Sequence, residues 1–235
     1  KFQSQENKEQ PVFATSWGVS TRVIGALIMV HGDDKGLKLP PKVAPHQVVI
    51  VPINPKNENE KKFNNFVDTV ANDLNKNGIR CKIDASENTP GFKFNFWELR
   101  GAPMRIEIGL QEYKDQKLTV CRRDTGEKIS INHNDINNVK DTLDDIQDSM
   151  YNSAASFLKE NTIELDSYNA LQEKLSEDNC FIKAYWDGSE ESEMKVKEYT
   201  KATIRCSLED IDDTKAKGIV SGEPAKHLVI FAKAY

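Results

Sequence analysis

Three stretches of the 235-residue sequence combine residue types that can bind nucleotides. The first, Thr15–Arg22, places small hydroxyls, a glycine and an arginine around a tryptophan. Glycine allows a ligand to approach the backbone closely, and arginine offers a planar cation for a base or a phosphate. The alternative interpretation is a strand on which one arginine lies along an apolar surface.

The other two stretches lie further along the chain. Residues 90–101 (PGFKFNFWELRG), followed by 104–109 (MRIEIG), interleave aromatic side chains with Lys, Arg and Glu. This mixture is typical of proteins that bind unstacked RNA bases, although a buried aromatic cluster with a charged rim is the alternative. Residues 122–128 (RRDTGEK) predict a basic hairpin that could hold phosphates, or else a solvated turn.

Catalytic and metal-binding patterns are missing from the sequence. The four histidines are scattered, and His31-Gly-Asp-Asp is more typical of a turn than of a metal site. We find no phosphate-binding glycine motif and no metal-ligand spacing. Cysteines 81, 121, 180 and 206 form no CxxC pair, which predicts free thiols in a reducing compartment such as the cytoplasm.

The charge and the length of the apolar runs argue against two classes of protein. Lys and Arg total 32 against 37 Asp and Glu, and the net charge of −5 argues against a strongly basic, sequence-independent nucleic-acid binder. Acidic residues dominate after about residue 143, so a polyanion should contact the earlier part of the chain. The apolar runs are far shorter than the ~20 residues that span a bilayer, which argues against a membrane protein.

Hydrophobic periodicity predicts the elements that must position these residues. Buried runs favour strands, and apolar residues on one face favour helices. The predicted elements of the first 160 residues are a hairpin turn at 7–9, a strand and then a helix within 12–31, a strand at 47–53, a helix at 58–77, a strand at 80–84, a helix at 92–99, strands at 104–109, 117–123 and 128–132, and a helix at 135–160. The strand–helix–strand succession indicates a parallel unit, and 117–132 indicates a hairpin.

The acidic remainder predicts a second, smaller α/β unit. Its expected elements are helices at 166–176 and 190–199 and strands at 180–185, 202–206 and 227–233. The fold class is therefore α/β, with a mixed sheet in the larger unit.

Several of these stretches resemble one family. Thr15–Arg22, continuing through VIGALIMVHGD and GLKLPP, resembles the end of the catalytic domain of archaeal/eukaryote-type prolyl-tRNA synthetases. PGFKFNFWELRGAPMRIEIG and RRDTGEK resemble that family's anticodon-binding domain, and Val229–Tyr235 resembles its C-terminus. The resemblance covers essentially the whole chain. It implies a fragment that starts about halfway through a class II synthetase.

The resemblance implies three segments and two sets of site residues. Residues 1–45 would carry the last strands and helix of the antiparallel catalytic sheet, 46–145 the mixed-sheet anticodon-binding domain, and 146–235 a small α/β C-terminal domain. The residues implied at the ATP and prolyl-adenylate site are Ser16, Trp17, Gly18, Ser20 and Arg22, with Arg22 stacked on adenine. The residues implied at the anticodon are Phe94, Glu98, Arg105, Arg123 and Lys128.

The chemistry of the anticodon supports a role for Glu98. Proline anticodons end in two guanines. The N1–H and N2–H groups of guanine form a paired donor edge, which a carboxylate can accept.

Two implied features concern the C-terminal domain. Many family members hold zinc there with four cysteines, whereas this chain has Asp187, Ser192, Gly218 and Ser221 at those positions. Four-thiolate zinc cannot form on these residues, so we expect no zinc. The resemblance also implies that the carboxylate of Tyr235 folds back toward the active site, where it would need a cationic partner.

The implied parent is a proline–tRNA ligase that uses ATP and Mg²⁺, acts on proline tRNA, and works as a cytoplasmic homodimer. Class II motifs 1 and 2 are absent from this sequence, so we expect a monomeric fragment without catalytic residues that is inactive alone. One alternative is a non-catalytic RNA-binding or regulatory module with the same fold. Arg22 beside Trp17 and Gly18 argues against it. Another is a structural scaffold without an RNA role, which unchanged RNA affinity of Glu98→Ala would favour.

Overall fold

A computed structural model describes residues 1–53, 60–208 and 216–234. The chain forms two compact units, Lys1–Tyr151 and Asn152–Tyr235. The predicted α/β class is confirmed, with a mixed five-stranded sheet in the first unit and a mixed four-stranded sheet in the second. Across the described residues, no helix is both long enough and apolar enough to cross a membrane.

The first residues of the chain form a small hairpin. Strands β1 (Phe2–Gln3) and β2 (Glu9–Gln10) pair antiparallel around a turn in which Asn7 has a positive φ of 58°. Residues 11–20 have no regular secondary structure, and helix α1 then spans Arg22–His31. The predicted helix is present, but the strand expected before it is wrong for this structure. No described residue pairs with that stretch, and an isolated strand leaves its backbone groups unpaired.

The five-stranded sheet of the first unit has the order β4-β3-β5-β6-β7. Strand β3 pairs parallel with β4 and β5, while β5, β6 and β7 pair antiparallel. The predicted strand–helix–strand unit and hairpin are therefore confirmed. The strands are β3 (Val48–Pro52), β4 (Cys81–Ile83), β5 (Met104–Ile108), β6 (Lys117–Arg122) and β7 (Lys128–Asn132).

Two amphipathic helices seal one face of this sheet. Helix α2 (Glu60–Lys76) contributes Phe63 and Leu74 to the core, and helix α5 (Ile136–Glu160) contributes Ile146. The predicted start of α2 near Glu58 lies outside the described residues. A shorter helix, α4 (Leu110–Asp115), was not predicted because six residues are too few to display helical periodicity.

Helix α3 (Pro90–Leu99) begins with a capped first turn. The side chain of Thr89 accepts the backbone N–H of Phe92, and Pro90 occupies the first turn, where its missing N–H costs nothing. At the other end, the backbone N–H of Leu37 donates to the Leu99 carbonyl at 3.0 Å. A Cβ on Gly36 would lie 2.5 Å from the Leu99 Cα, so this close approach requires glycine.

The second unit contains the predicted helices and strands and one additional short strand, β8 (Thr162–Glu164). Its sheet has the order β10-β11-β9-β8, and β8 pairs parallel with β9. The other elements are α6 (Tyr168–Glu177), β9 (Phe181–Trp186), α7 (Glu190–Thr200), β10 (Ala202–Leu208) and β11 (His227–Lys233).

A buried carboxylate joins the end of β9 to the start of α7. The Asp187 carboxylate accepts the Ser192 hydroxyl at 2.7 Å and the Ser189 hydroxyl at 2.9 Å. The Ser189 backbone N–H also donates to it at 3.0 Å. Burial alone would raise the pKa of Asp187, but these hydrogen bonds outweigh it and hold the pKa well below its usual value.

Asp187→Asn should lower the free energy of unfolding by about 2 kcal/mol at pH 7, because the hydrogen-bond cluster loses its negative charge and one of its two acceptor oxygens. The pKa of Asp187 is lower in the folded than in the unfolded state, so the ionised carboxylate stabilises the fold above its unfolded pKa of about 3.9. This stabilisation disappears as the pH falls further. Thermal unfolding from about pH 7 to pH 3 should therefore show the difference from the native chain narrowing below about pH 4.

The matched control is Asp166→Asn, which neutralises an exposed aspartate just before α6. Its melting temperature should follow that of the native chain throughout. An equal loss in both variants would contradict a special role for the Asp187 cluster.

Candidate functional site

The candidate site lies on the face of the five-stranded sheet opposite the α2 and α5 core. Side chains alternate along β5, so Met104 and Ile106 enter the core while Arg105 and Glu107 point to the other face. Arg105 pairs with Cys121 on β6, which in turn pairs with Lys128 on β7. The pleat therefore carries charged side chains of β5 and β7 to one surface.

A buried carboxylate organises this surface. Glu107 is only 8% exposed, and its Oε1 accepts Arg105 Nε at 3.1 Å and Nη2 at 2.9 Å. Its Oε2 accepts Lys128 Nζ at 2.8 Å. The Arg105 guanidinium lies 4.3 Å from the centre of the Phe94 ring, and Lys128 Nζ lies 5.9 Å from the same ring. One carboxylate thus orients two cations beside an aromatic ring.

Helix α3 supplies the acidic residue of the site. Glu98 lies in its last turn, and its side chain keeps 30% of its surface exposed. Lys35 Nζ is 3.7 Å from its Oε1, a loose contact with an exposed lysine. A cleft of about 190 Å³ separates this carboxylate from the charges on the sheet, and its lining includes Glu98, Arg105 and Lys128.

Arg123 lies at the edge of the cleft and is already occupied. Its two terminal nitrogens donate to the Asp33 carboxylate at 2.9 and 2.6 Å, and its Nε donates to the Glu98 backbone carbonyl at 3.1 Å. The Arg123 guanidinium holds the pKa of Asp33 well below its usual range. Because its donors already have partners and its side chain is buried, the geometry suits Arg123 to positioning Glu98 and the 33–36 turn.

The structure thus brings together Phe94, Glu98, Arg105 and Lys128, with Arg123 beside them. The second predicted group is not gathered into a cavity. Ser16, Trp17, Gly18 and Ser20 lie exposed in the irregular segment before α1, and Arg22 is the exposed first residue of that helix. Tyr235 lies outside the described residues.

Metal ligands do not cluster within the part of the chain that the structure describes. No group of three or more His, Cys, Asp or Glu side chains there is arranged to hold a metal ion. All four cysteines are free; Cys121 and Cys180 are buried, Cys81 is half-buried and Cys206 is exposed. Burial raises the pKa of the Cys81 thiol to about 12, so this thiol stays protonated near neutral pH.

Sequence reasoning missed two residues of the site. Glu107 belongs to the predicted strand 104–109, and its alternation with Ile106 could have placed it beside Arg105. Asp33 belongs to a stretch that the sequence predicts as a turn. Its partner Arg123 lies 90 residues away, and no local pattern reports such a pairing.

Glu107→Gln should lower the free energy of unfolding by about 1–3 kcal/mol, because Arg105 and Lys128 would lose their shared anionic partner. The measurement is denaturant unfolding of the native chain and the variant at one pH. The matched control is Glu164→Gln, which removes an exposed cross-strand partner of Lys183 and should cost less than about 1 kcal/mol. Equal costs for the two changes would contradict the organising role of Glu107.

Two family models match this chain. The model described as an anticodon-binding domain matches residues 47–143, which contain the five-stranded sheet and the cleft. The model described as the C-terminal domain of prolyl-tRNA synthetase matches residues 168–235.

Similar curated proteins carry the name proline–tRNA ligase. The chain is 45% identical over its whole length to one from Phocaeicola vulgatus and covers 48% of that protein. It is 46% identical, again over its whole length, to one from Chlorobium phaeobacteroides and covers 50% of it. A third, from Natranaerobius thermophilus, is 47% identical over 87% of the chain and 42% of the relative.

The chain spans about half the length of the curated relatives that it matches. The two family models lie in chain order over the two folded units. The chain therefore belongs to the prolyl-tRNA synthetase family and corresponds to the C-terminal part of its members.

Proposed function

We propose that this chain recognises the anticodon of proline tRNA as the C-terminal part of a proline–tRNA ligase. The observation that carries the proposal is the convergence of Glu98, Arg105 and Lys128 around one cleft, with Phe94 against two of them. These residues come from α3, β5 and β7, so only the folded sheet brings them together. Anticodon bases are unstacked single-stranded nucleotides, the form in which proteins read RNA sequence.

The residues divide the work of recognition between them. The Glu98 carboxylate has the exposed Lys35 ammonium as a charged neighbour at 3.7 Å, so the edge of a guanine can compete with this loose contact. The Arg105 guanidinium over Phe94 provides a flat surface for stacking a base. Lys35, Arg105 and Lys128 line the cleft and outnumber Glu98 and the adjacent Glu107, which favours the approach of RNA phosphates.

The proposal is tested with an anticodon stem-loop of proline tRNA and a second loop in which both anticodon guanines are replaced. The native chain should bind the second loop at least ten-fold more weakly, a difference of about 1.4 kcal/mol. Glu98→Gln should bind the natural loop roughly ten-fold more weakly and should lose most of this discrimination. Fluorescence anisotropy at one fixed salt concentration measures all four affinities.

The matched control for this test is Glu173→Gln, an equivalent change at an exposed position of α6. It should keep both the affinity and the discrimination of the native chain. Equal binding of the two loops by the native chain would leave only phosphate attraction and would contradict anticodon reading.

We also propose roles for residues 1–45 in the complete ligase. Ser16, Trp17, Gly18 and Ser20 would line the prolyl-adenylate site, and Arg22 would stack on the ATP adenine. ATP with Mg²⁺ and proline would be bound together with the upstream half of the parent, where the Tyr235 carboxylate would also find a cation. Their exposure fits a segment that is completed by other parts of a longer protein.

Further proposals concern the organisation of the protein. We propose that residues 1–45 form the end of a catalytic domain, residues 46–145 an anticodon-binding domain and residues 146–235 a C-terminal domain. The parent would act as a homodimer and this piece alone as a monomer. Four free cysteines support a cytoplasmic location, because cytosolic thiols are kept reduced. The relatives match residues 1–45 as well, which favours the ligase over a non-catalytic RNA-binding module.

We propose finally that the C-terminal domain folds without zinc. The Ser192 hydroxyl donates a hydrogen bond to Asp187, and Gly218 lies against the Asp187 backbone and the Ser221 hydroxyl. Hydroxyl donors and one carboxylate are poor ligands for a structural zinc ion, which takes thiolates and imidazoles. Elemental analysis of the purified chain should find well below one equivalent of zinc, and dialysis against a chelator should leave its melting temperature unchanged. Stoichiometric, protein-bound zinc would contradict this proposal.

A further inference from the structure

A second and larger cavity lies on the opposite side of α3 from the Glu98 cleft. Its volume is about 660 Å³, and it opens between α3, the end of β4 and the segment around Leu39 and His46. No residue assigned so far to ATP, adenylate or the two anticodon guanines lines it. We call it the Phe96 cavity, after the ring that carries the argument below.

Aromatic rings dominate one wall of the Phe96 cavity. The Phe92 and Phe96 rings stack with their centres 6.1 Å apart and an interplanar angle of 29°. Trp97 meets Phe96 edge to face at 5.2 Å. Phe92 is 54% exposed, which is unusual for a phenylalanine beside a cavity. Exposed rings on a concave surface are the stacking platform that single-stranded nucleic acids use.

The charges at this cavity are suited to RNA. Arg100 lies over the Phe96 ring with its guanidinium carbon 3.5 Å from the ring centre, and Lys82 Nζ is 5.7 Å from the Trp97 ring. Both cations are exposed. The acidic lining residue, Asp84, is buried and already accepts Trp97 Nε1 at 2.7 Å and the Ser86 hydroxyl at 2.6 Å. Its carboxylate is therefore engaged, while the exposed cations can meet phosphates.

The two concavities share part of their lining. Trp97 and Ala102 line both the Phe96 cavity and the Glu98 cleft. Phe94 and Glu98 face one side of α3, and Phe96 and Arg100 face the other. An RNA loop that places its two anticodon guanines beside Glu98 therefore has a neighbouring nucleotide close to the Phe96 cavity.

We propose that the Phe96 cavity receives the base of the first anticodon nucleotide, held against the aromatic wall of Phe92 and Phe96 beside the Arg100 guanidinium. This inference rests on the anticodon reading proposed above and extends it to a third base. The first anticodon base differs among proline tRNAs, because the third base of proline codons varies. A site for it must accept several bases, and stacking does so because every base has a π-face.

The test is a double-mutant cycle between the protein and the anticodon stem-loop. The protein is the whole chain with Phe96→Leu, which removes the ring but keeps an apolar side chain. The RNA lacks only the base of the first anticodon nucleotide. Each change alone should weaken binding about ten-fold. The two together should weaken it no further than either alone, because both remove the same contact.

Two controls separate this contact from other effects. A stem-loop that lacks the base following the anticodon should lose the same factor with the native chain and with Phe96→Leu. Phe157→Leu makes the same change at an exposed ring on α5 that does not line the cavity, and it should bind every loop as the native chain does. If Phe96→Leu lowers the melting temperature, Phe92→Ala replaces it in the cycle, because the Phe92 side chain is more exposed and contributes less to folding. Phe92→Ala should show the same coupling.

The outcomes distinguish the two proposals. Independent, multiplying losses in the cycle would overturn the Phe96 cavity as the site of this base, and coupling to the following nucleotide would reassign its occupant. Both results can occur while the guanine replacements still weaken binding ten-fold, and anticodon reading then stands. Loss of guanine discrimination by the native chain would instead remove the foundation of both proposals.

Discussion

The alternation of side chains along β5 is the constraint on which the candidate site depends. Met104 and Ile106 must enter the core sealed by α2 and α5, and the period of two then forces Arg105 and Glu107 onto the opposite face. A shift of one residue in the register would bury the charges and expose the core residues. The same packing that stabilises the unit therefore fixes the direction of its charged residues.

Glu107 fixes the positions of the two cations on this face of the sheet. A buried carboxylate without partners would be costly, and this one holds Arg105 and Lys128 through three hydrogen bonds. The two cations are thereby oriented before any ligand binds, which lowers the entropy lost on binding. Arg123 acts similarly at the edge of the cleft, where it joins Asp33 to the end of α3. Glu98 and Lys128 therefore remain accessible at the cleft, next to buried ion pairs that hold their surroundings in place.

In the second unit, a buried carboxylate also organises its surroundings, but here it stabilises a turn. The Asp187 carboxylate, just after β9, accepts hydroxyl and amide donors from Ser189 and Ser192 at the start of α7. A single buried charge with several donors can hold a turn because each hydrogen bond is strengthened by that charge. The unit is small, and its core of Leu171, Ile182, Phe231 and their neighbours benefits from such a link.

Local patterns in the sequence determined most elements of both units and the residue types of the site. They wrongly predicted a strand before α1, because a strand also needs a partner strand, which local patterns do not report. They also missed α4, because six residues are too few to show helical periodicity. Only the tertiary structure decided which charges meet. From the sequence alone, Arg123 could bind either an RNA phosphate or a carboxylate of the protein. Folding brings Asp33, 90 residues away, against it and thereby decides for the carboxylate. The Phe96 cavity likewise exists only where α3 packs beside β4, because concavity belongs to the arrangement of elements and not to any one of them.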